Sequence, residues 1–175
     1  MKRNKALIPL SHDHHLGLLL AQLIQKSAPD YKGLPKDLDG KIKYTIDVYN
    51  SLLKKHFEDE EKILFPVIMG KNKLLENLVY EIINEHRLLE KFITELTTTK
   101  NQFELLDKIG KILNDHIRKK ERDLFPKAQE VLTEIELSEI EKELLFSSKT
   151  KNDNCSAETI KDKENKIFKD NRDST

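Results

Sequence analysis

The chain is poor in the residues that several common classes of protein depend on. It has one cysteine, no tryptophan, five glycines and five prolines among 175 residues. The single cysteine, Cys155, excludes a disulfide within the chain and fits a reducing compartment. Few glycines and prolines beside many Leu, Ile, Lys and Glu residues favour an all-helical protein.

An excess of one charge and a long apolar run are missing as well. Lys+Arg and Asp+Glu both total 31, so the net charge is zero and no basic excess supports nucleic-acid binding. The apolar stretch within residues 1–9 is too short for a signal peptide or a membrane span. We therefore expect a soluble, cytoplasmic protein with neither nucleic acid nor membrane as a partner.

The most informative feature that is present is a repeat of histidine and acidic residues. Residues 56–66 and 116–126 read HFEDEEKILFP and HIRKKERDLFP. Both begin with His, continue with acids and end in Leu-Phe-Pro at the same distance. A shorter acid–His pair precedes each block, Asp13-His14 before the first and Glu85-His86 before the second. This alternation predicts four helices that each direct a histidine into a shared interior.

Apolar residues spaced by threes and fours predict where these helices lie. The helices cover about 11–26, 37–66, 74–96 and 102–126, with Ser11 as the cap of the first. Short connections between them are typical of an antiparallel up-down four-helix bundle. Ser138 and Glu141 match a capping box, which predicts a short extra C-terminal helix. Residues 1–147 thus form one domain, and the polar residues 148–175 are predicted to be a flexible tail.

Histidine takes the place of an apolar residue on the inner stripe of each predicted helix, at His14, His56, His86 and His116. Buried imidazoles need partners for a donor and an acceptor, and a metal ion meets that need because neutral imidazole is a common ligand. A lone buried histidine is more often an ordinary core residue, but one on each of four helices indicates a metal centre. His15, next in sequence, is the alternative to His14.

The carboxylates near the histidines indicate the class of metal. Glu60 follows His56 by four residues, so both side chains face the same way. In the second block that position is Lys120, which has no lone pair to give. The nearest acid is Glu121, which needs a local π-type widening to point inward; Glu61 is the corresponding alternative in the first block. Mixed histidine and carboxylate ligands in a helical bundle are typical of di-iron or di-manganese sites, whereas structural zinc sites more often use cysteine.

Over about residues 7–130 this arrangement resembles the hemerythrin-like, or HHE cation-binding, family. The resemblance implies a four-helix bundle around two non-haem irons joined by an oxo or hydroxo bridge. It implies that Glu60 is a bridging carboxylate. Glu90 stands where oxygen-carrying hemerythrins have a second histidine on the third helix, which disfavours simple reversible oxygen carriage and makes Glu90 a further candidate. The implied metal ligands are His14, His56, Glu60, His86, His116 and Glu121.

The resemblance also implies what the protein does. We expect it to bind or sense oxygen, nitric oxide or peroxide, or to handle iron, so its partner is a small diatomic gas or a peroxide. A di-iron oxidoreductase with peroxidase-like or iron–sulfur repair activity is the enzymatic alternative. A regulatory module acting through the tail is a third hypothesis, and a structural bundle with one metal ion or with zinc is the simplest. No protein partner can be named from the sequence.

Overall fold

The computed structural model describes residues 2–154, with the backbone alone for 149–154. This part of the chain is helical and contains no β-strand, so the all-helical prediction is confirmed. Among these helices, none combines the length and the apolar character needed to cross a bilayer. The predicted flexible tail lies almost wholly outside the described residues, and its first residues continue the last helix.

The first half of the chain forms one helix and one long composite helical segment. A 3₁₀ turn leads into helix α1, Ile8–Leu23. The composite segment, 38–68, consists of three α-helices with two π-helical stretches between them. In chain order these are α2 (Leu38–Val48), a π stretch (Tyr49–Leu53), α3 (Lys54–Asp59), a π stretch (Glu60–Leu64) and α4 (Phe65–Ile68).

The second half repeats this arrangement and adds a further helix. Helix α5 spans Lys73–Glu95. The second composite segment, 102–131, is followed by α8, Glu134–Asn154. In chain order the composite segment contains α6 (Gln102–Lys119), a π stretch (Lys120–Leu124) and α7 (Phe125–Val131). Both repeated blocks therefore contain a π stretch that starts four residues after their histidine.

Two helices begin earlier than predicted. Ser11 does not cap α1, which starts at Ile8 with proline in its first turn, where the fixed φ of proline suits a helix and its missing N–H costs no bond. Helix α8 starts at Glu134 rather than near Ser138 because the capping box is formed one turn earlier. The Thr133 backbone N–H donates to Glu136 Oε2 at 2.9 Å, and the Glu136 N–H donates to Thr133 Oγ1 at 3.3 Å. The extra helix is consequently 21 residues long instead of short.

The core consists of two apolar clusters, and the four histidines lie between them along the chain. Leu20, Leu53, Leu89 and Leu113 belong to one cluster, and Leu10, Leu64, Ile82 and Leu124 belong to the other. Each buried histidine has a member of one cluster before it and a member of the other after it on its own helix or composite segment. Apolar packing therefore closes the polar centre from both ends and keeps water away from it.

Candidate metal centre

The helices bring five of the six predicted ligands together in the interior. His14 lies on α1, His56 on α3, Glu60 at the start of the π stretch Glu60–Leu64, His86 on α5 and His116 on α6. Their exposed fractions range from 0% to 3%. They form two groups that share Glu60: group A is His14, His56 and Glu60, and group B is Glu60, His86 and His116. Within each group, one possible ligand atom per residue lies within 4.8 Å of the others.

The alternative ligands lie outside both groups. His15 is exposed on α1, so His14 is the inward histidine of the pair. Glu90 is exposed on α5 beside Tyr49, and burial together with the Glu90 carboxylate raises the pKa of Tyr49 to about 12. Glu61 faces the outer nitrogen of His86, with its Oε1 at 2.8 Å from Nδ1. The geometry thus favours Glu60 as the carboxylate that both groups share.

Glu121 lies outside both groups, so its role as a metal ligand stays a prediction. Its Oε1 lies 2.6 Å from His14 Nδ1, the ring nitrogen on the far side from His56, and its other oxygen pairs with Arg3. The predicted π widening is present, but it starts at Lys120. Lys120 therefore keeps the inward position that Glu60 has in the first block, and Glu121 turns outward. Burial opposes the charge of Glu121, but the bond to His14 and the nearby Arg3 lower its pKa to about 2.

Every central histidine faces a carboxylate from another helix through its outer nitrogen, Nδ1. The four acids were missed as a set by the sequence analysis. Each of them is adjacent in sequence to a central residue, and that adjacency is the signal that could have found them. The Nδ1-to-oxygen distances are 3.3 Å for His56 with Asp13, 2.6 Å for His14 with Glu121, 2.8 Å for His86 with Glu61 and 2.7 Å for His116 with Glu85.

These pairs form a closed ring around the bundle, because the acid of each helix or composite segment accepts a hydrogen bond from the histidine of the next. A carboxylate only accepts hydrogen bonds, so it places the imidazole proton on Nδ1 and leaves the Nε2 lone pair directed inward. Arg3, Arg87 and Lys119 each pair with one of these acids, Glu121, Glu61 and Glu85 in that order. A histidine oriented by a carboxylate through its second nitrogen is the usual arrangement at a metal site.

Three buried atoms of group B lack a hydrogen-bond partner among the described residues: Glu60 Oε1, His86 Nε2 and His116 Nε2. Glu60 Oε1 lies 3.5 Å from His56 Nε2 of group A, whereas Glu60 Oε2 lies 3.3 Å from His86 Nε2, and both of these atoms are acceptors when the imidazole proton is on Nδ1. An unsatisfied buried acceptor costs about 1–3 kcal/mol, and one cation bound beside Glu60 would satisfy both imidazole nitrogens. Two imidazoles and one carboxylate with positions left open suit ferrous iron. The donors of group B therefore fit a metal ion.

Group A has a different neighbour, the amine of Lys120. This side chain is fully buried, and its Nζ lies 2.8 Å from Glu60 Oε2 and 3.0 Å from His56 Nε2. Burial lowers the pKa of Lys120, whereas its ammonium holds the pKa of Glu60 well below the usual range although burial opposes this. A divalent ion about 3 Å from the ammonium would be repelled by roughly 10 kcal/mol at an effective dielectric constant of about 20. Group A therefore does not fit a metal ion while Lys120 occupies this position.

Burial keeps two of the histidines in the neutral form that can bind a metal. Burial and then the charge of Lys120 lower the pKa of His14 to about 4 and hold the pKa of His116 well below its ordinary value. His56 differs: burial lowers its pKa, but the charge of Glu60 and the hydrogen bonds to Asp13 and Glu60 together raise the pKa above its ordinary value.

Phenylalanine rings cover the histidine rings of the centre. Phe57 stacks on His86 with the ring centroids 4.0 Å apart, and Phe125 stacks on His14 at 5.5 Å. Phe65, the equivalent of Phe125 in the first block, is parallel to His86 at 6.1 Å. The repeated Leu-Phe-Pro segments thus supply core residues, and their phenylalanines also form part of an apolar cover over the imidazoles.

Comparison with known proteins places this centre in a family. The family model described as the hemerythrin HHE cation binding domain matches residues 6–128, which contain every histidine and acid of the centre. No curated protein and no solved structure matches the chain. The match covers well over half of the sequence, and the predicted family is confirmed. The chain belongs to the hemerythrin HHE cation-binding domain family.

Proposed function

We propose that this protein is a non-haem iron protein of the hemerythrin type that binds or senses a small oxidant: oxygen, nitric oxide or peroxide. The observation that supports this proposal is the pair of imidazole nitrogens in group B that have no hydrogen-bond partner among the described residues, with the Glu60 carboxylate beside them. Ferrous iron bound by such a set keeps open positions that accept a small ligand.

The surroundings of the centre suit a small ligand rather than a large substrate. Apolar clusters close both ends of the centre, and Phe57 and Phe125 cover the imidazoles. A surface cavity of about 530 Å³ brings solvent as far as Glu121, the partner of His14. A diatomic gas or a peroxide is small enough to enter this cavity and reach Glu121, next to His14.

The experiment is to load the protein with Fe(II) without oxygen and to record optical spectra before and after adding oxygen, nitric oxide or peroxide. We expect new absorption bands with at least one of these molecules in the wild-type protein. The bands should disappear in His86→Ala and persist in His15→Ala, because His15 is an exposed histidine outside both groups. A protein that binds no iron, or spectra that none of the three molecules changes, would contradict the proposed function.

Finer details of the function stay predictions. Two irons with an oxo or hydroxo bridge would require both donor groups, and therefore a movement of Lys120 away from Glu60. The enzymatic alternative, a peroxidase-like or iron–sulfur repair activity, would be recognised by steady turnover of an oxidant in the presence of a reductant. The antiparallel up-down order of the helices and the cytoplasmic location also stay predictions, the latter supported by the single cysteine.

A further inference from the structure

Lys120 occupies the place in the second block that Glu60 occupies in the first. Each follows its histidine by four residues, each opens a π stretch, and each is fully buried. The repeat would be symmetrical with two carboxylates at these positions. Instead it presents one carboxylate and one amine, which lie 2.8 Å apart.

The amine uses donor atoms that a second metal ion would need. Its contacts are to Glu60 Oε2 at 2.8 Å and to His56 Nε2 at 3.0 Å. Since Asp13 faces Nδ1 of His56, Nε2 carries the lone pair, and an ammonium N–H donates to it. Among the described residues, the two imidazole nitrogens of the centre that lack a hydrogen-bond partner, His86 Nε2 and His116 Nε2, both belong to group B. The two halves of the centre are therefore chemically unequal.

We propose that this protein binds one metal ion, at Glu60, His86 and His116, and that the Lys120 ammonium takes the place of a second metal ion on the shared carboxylate. The inference rests on the proposed function in so far as the centre must bind metal. It departs from the two irons that the family resemblance implied. One divalent ion and one ammonium then share Glu60, and the centre holds a mononuclear site with two histidines and one carboxylate.

The experiment is an anaerobic Fe(II) titration of the full chain, with the bound metal counted by elemental analysis. We expect one equivalent in the wild-type protein and two in Lys120→Glu, which restores a carboxylate at the repeated position and removes the ammonium. Lys127→Glu is the matched control, since it makes the same charge change in the same segment at a partly exposed site that pairs with Asp123. It should keep one equivalent.

The number of metal ions bound per chain distinguishes a failure of this inference from a failure of the proposed function. Two equivalents in the wild-type protein would overturn the inference and leave the iron-binding function intact. No bound metal in the wild-type protein would overturn the function, and the inference with it. If Lys120→Glu does not fold, Lys120→Met removes the charge while keeping an apolar side chain of similar length. A stoichiometry that stays at one in this folded variant would overturn the role assigned to Lys120.

A second measurement tests which group holds the ion. We expect His86→Ala to lower the Fe(II) affinity by more than about 100-fold, because loss of a ligand should exceed the 10–100-fold effect typical of a residue that only orients one. His14→Ala should lower it by less than about 10-fold, since its effect reaches the ion only through neighbouring residues. Circular dichroism would establish that both variants are folded. Equal losses of Fe(II) affinity in the two variants would overturn the assignment of the metal ion to group B.

Discussion

The four histidines of the centre are positioned by the ring of acids around them as much as by their own helices. Each acid fixes the proton on Nδ1 and so directs the Nε2 lone pair into the centre. The acid also makes the imidazole a better donor, because its negative charge balances the positive charge that develops on the ring. These acids should therefore affect metal affinity although they do not touch the metal.

Glu85 offers the clearest test of this ring. Glu85→Gln keeps the shape of the side chain opposite His116 Nδ1 but removes its charge, so we expect metal affinity to fall by about 10-fold or more. Competition titration with a chelator of known affinity would measure the change. The matched control is Glu81→Gln, one turn earlier on α5, which loses a contact to the same Lys119 but faces no histidine. Equal affinities in the two variants would contradict the role of the ring.

The pKa values of the buried histidines predict how the stability of the metal-free protein depends on pH. The unfolded chain binds protons near pH 6.5, whereas folded His14 does so only near pH 4 and His116 well below its ordinary value. Stability is therefore lost as the pH falls from about 6.5 towards 4. The raised pKa of His56 acts in the opposite direction, because its contribution is lost as the pH rises through that value. Because two histidines have a lowered pKa and one has a raised pKa, we expect a net loss of stability in acid.

His14→Gln should reduce the loss of unfolding free energy between pH 7 and pH 4.5 by about 2 to 3 kcal/mol. Urea unfolding of the metal-free protein at both pH values would measure the free energy of unfolding. His15→Gln, at the exposed neighbouring position, should keep the wild-type pH dependence. If the free energy of unfolding changed equally with pH in all three proteins, His14 would not be the origin of the loss of stability in acid.

At the scale of the helices, close packing of α1 against α6 sets the distance between His14 and His116. Both helices carry a glycine at their contact. A Cβ atom on Gly110 would lie 2.7 Å from the Ala21 carbonyl oxygen, and one on Gly17 would lie 2.7 Å from the end of the Ile117 side chain. Backbone atoms of a packed helix cannot move aside alone, whereas the end of an isoleucine can rotate. The two glycines therefore differ in how much they constrain the packing.

Gly110→Ala should lower the free energy of unfolding by about 1–3 kcal/mol, because α1 must shift to accept the methyl group. Gly17→Ala should change it by less than about 1 kcal/mol, since alanine favours the helix by about that amount and the Ile117 side chain can adjust. Thermal unfolding would show the difference as a fall in Tm of about 2–4 °C per kcal/mol. Equal Tm values for the two variants would contradict the close contact at Gly110.

The whole molecule is organised around an interior that is polar at its centre and apolar at both ends. Unsatisfied acceptors at the centre destabilise the metal-free fold. Apolar clusters on both sides compensate for this. A ligand that binds only the folded state raises its stability through mass action. Metal binding and global stability should therefore change together.

Adding Fe(II) at about 100 times its Kd should stabilise the folded protein by about 2.7 kcal/mol, which corresponds to a rise in Tm of roughly 5–10 °C at this chain length. Anaerobic thermal scans with and without a chelator would measure it. His86→Ala should show no rise at the same metal concentration. A rise of the same size in that variant would indicate that the metal binds elsewhere.

The family, the all-helical fold and five central residues could be predicted from the sequence because each depends on spacing along a single helix. His56 and Glu60 face the same way whatever surrounds them, and the repeat places their counterparts at His116 and Lys120. Glu121 lies outside both groups because the π stretch of its segment begins at Lys120, which takes the inward position. The start of a π stretch cannot be read from residue spacing alone.

The sequence by itself determined that the four histidines and Glu60 point inward, since helical periodicity and the repeat fix the inner face of each helix. Only the tertiary structure decided what those side chains meet there. The pairing of each histidine with an acid from another segment, and of the Lys120 amine with Glu60 and His56, arises when the helices pack. The physical reason is that direction along a helix is a local property, whereas distance between residues far apart in the chain is fixed by the packing of the whole bundle.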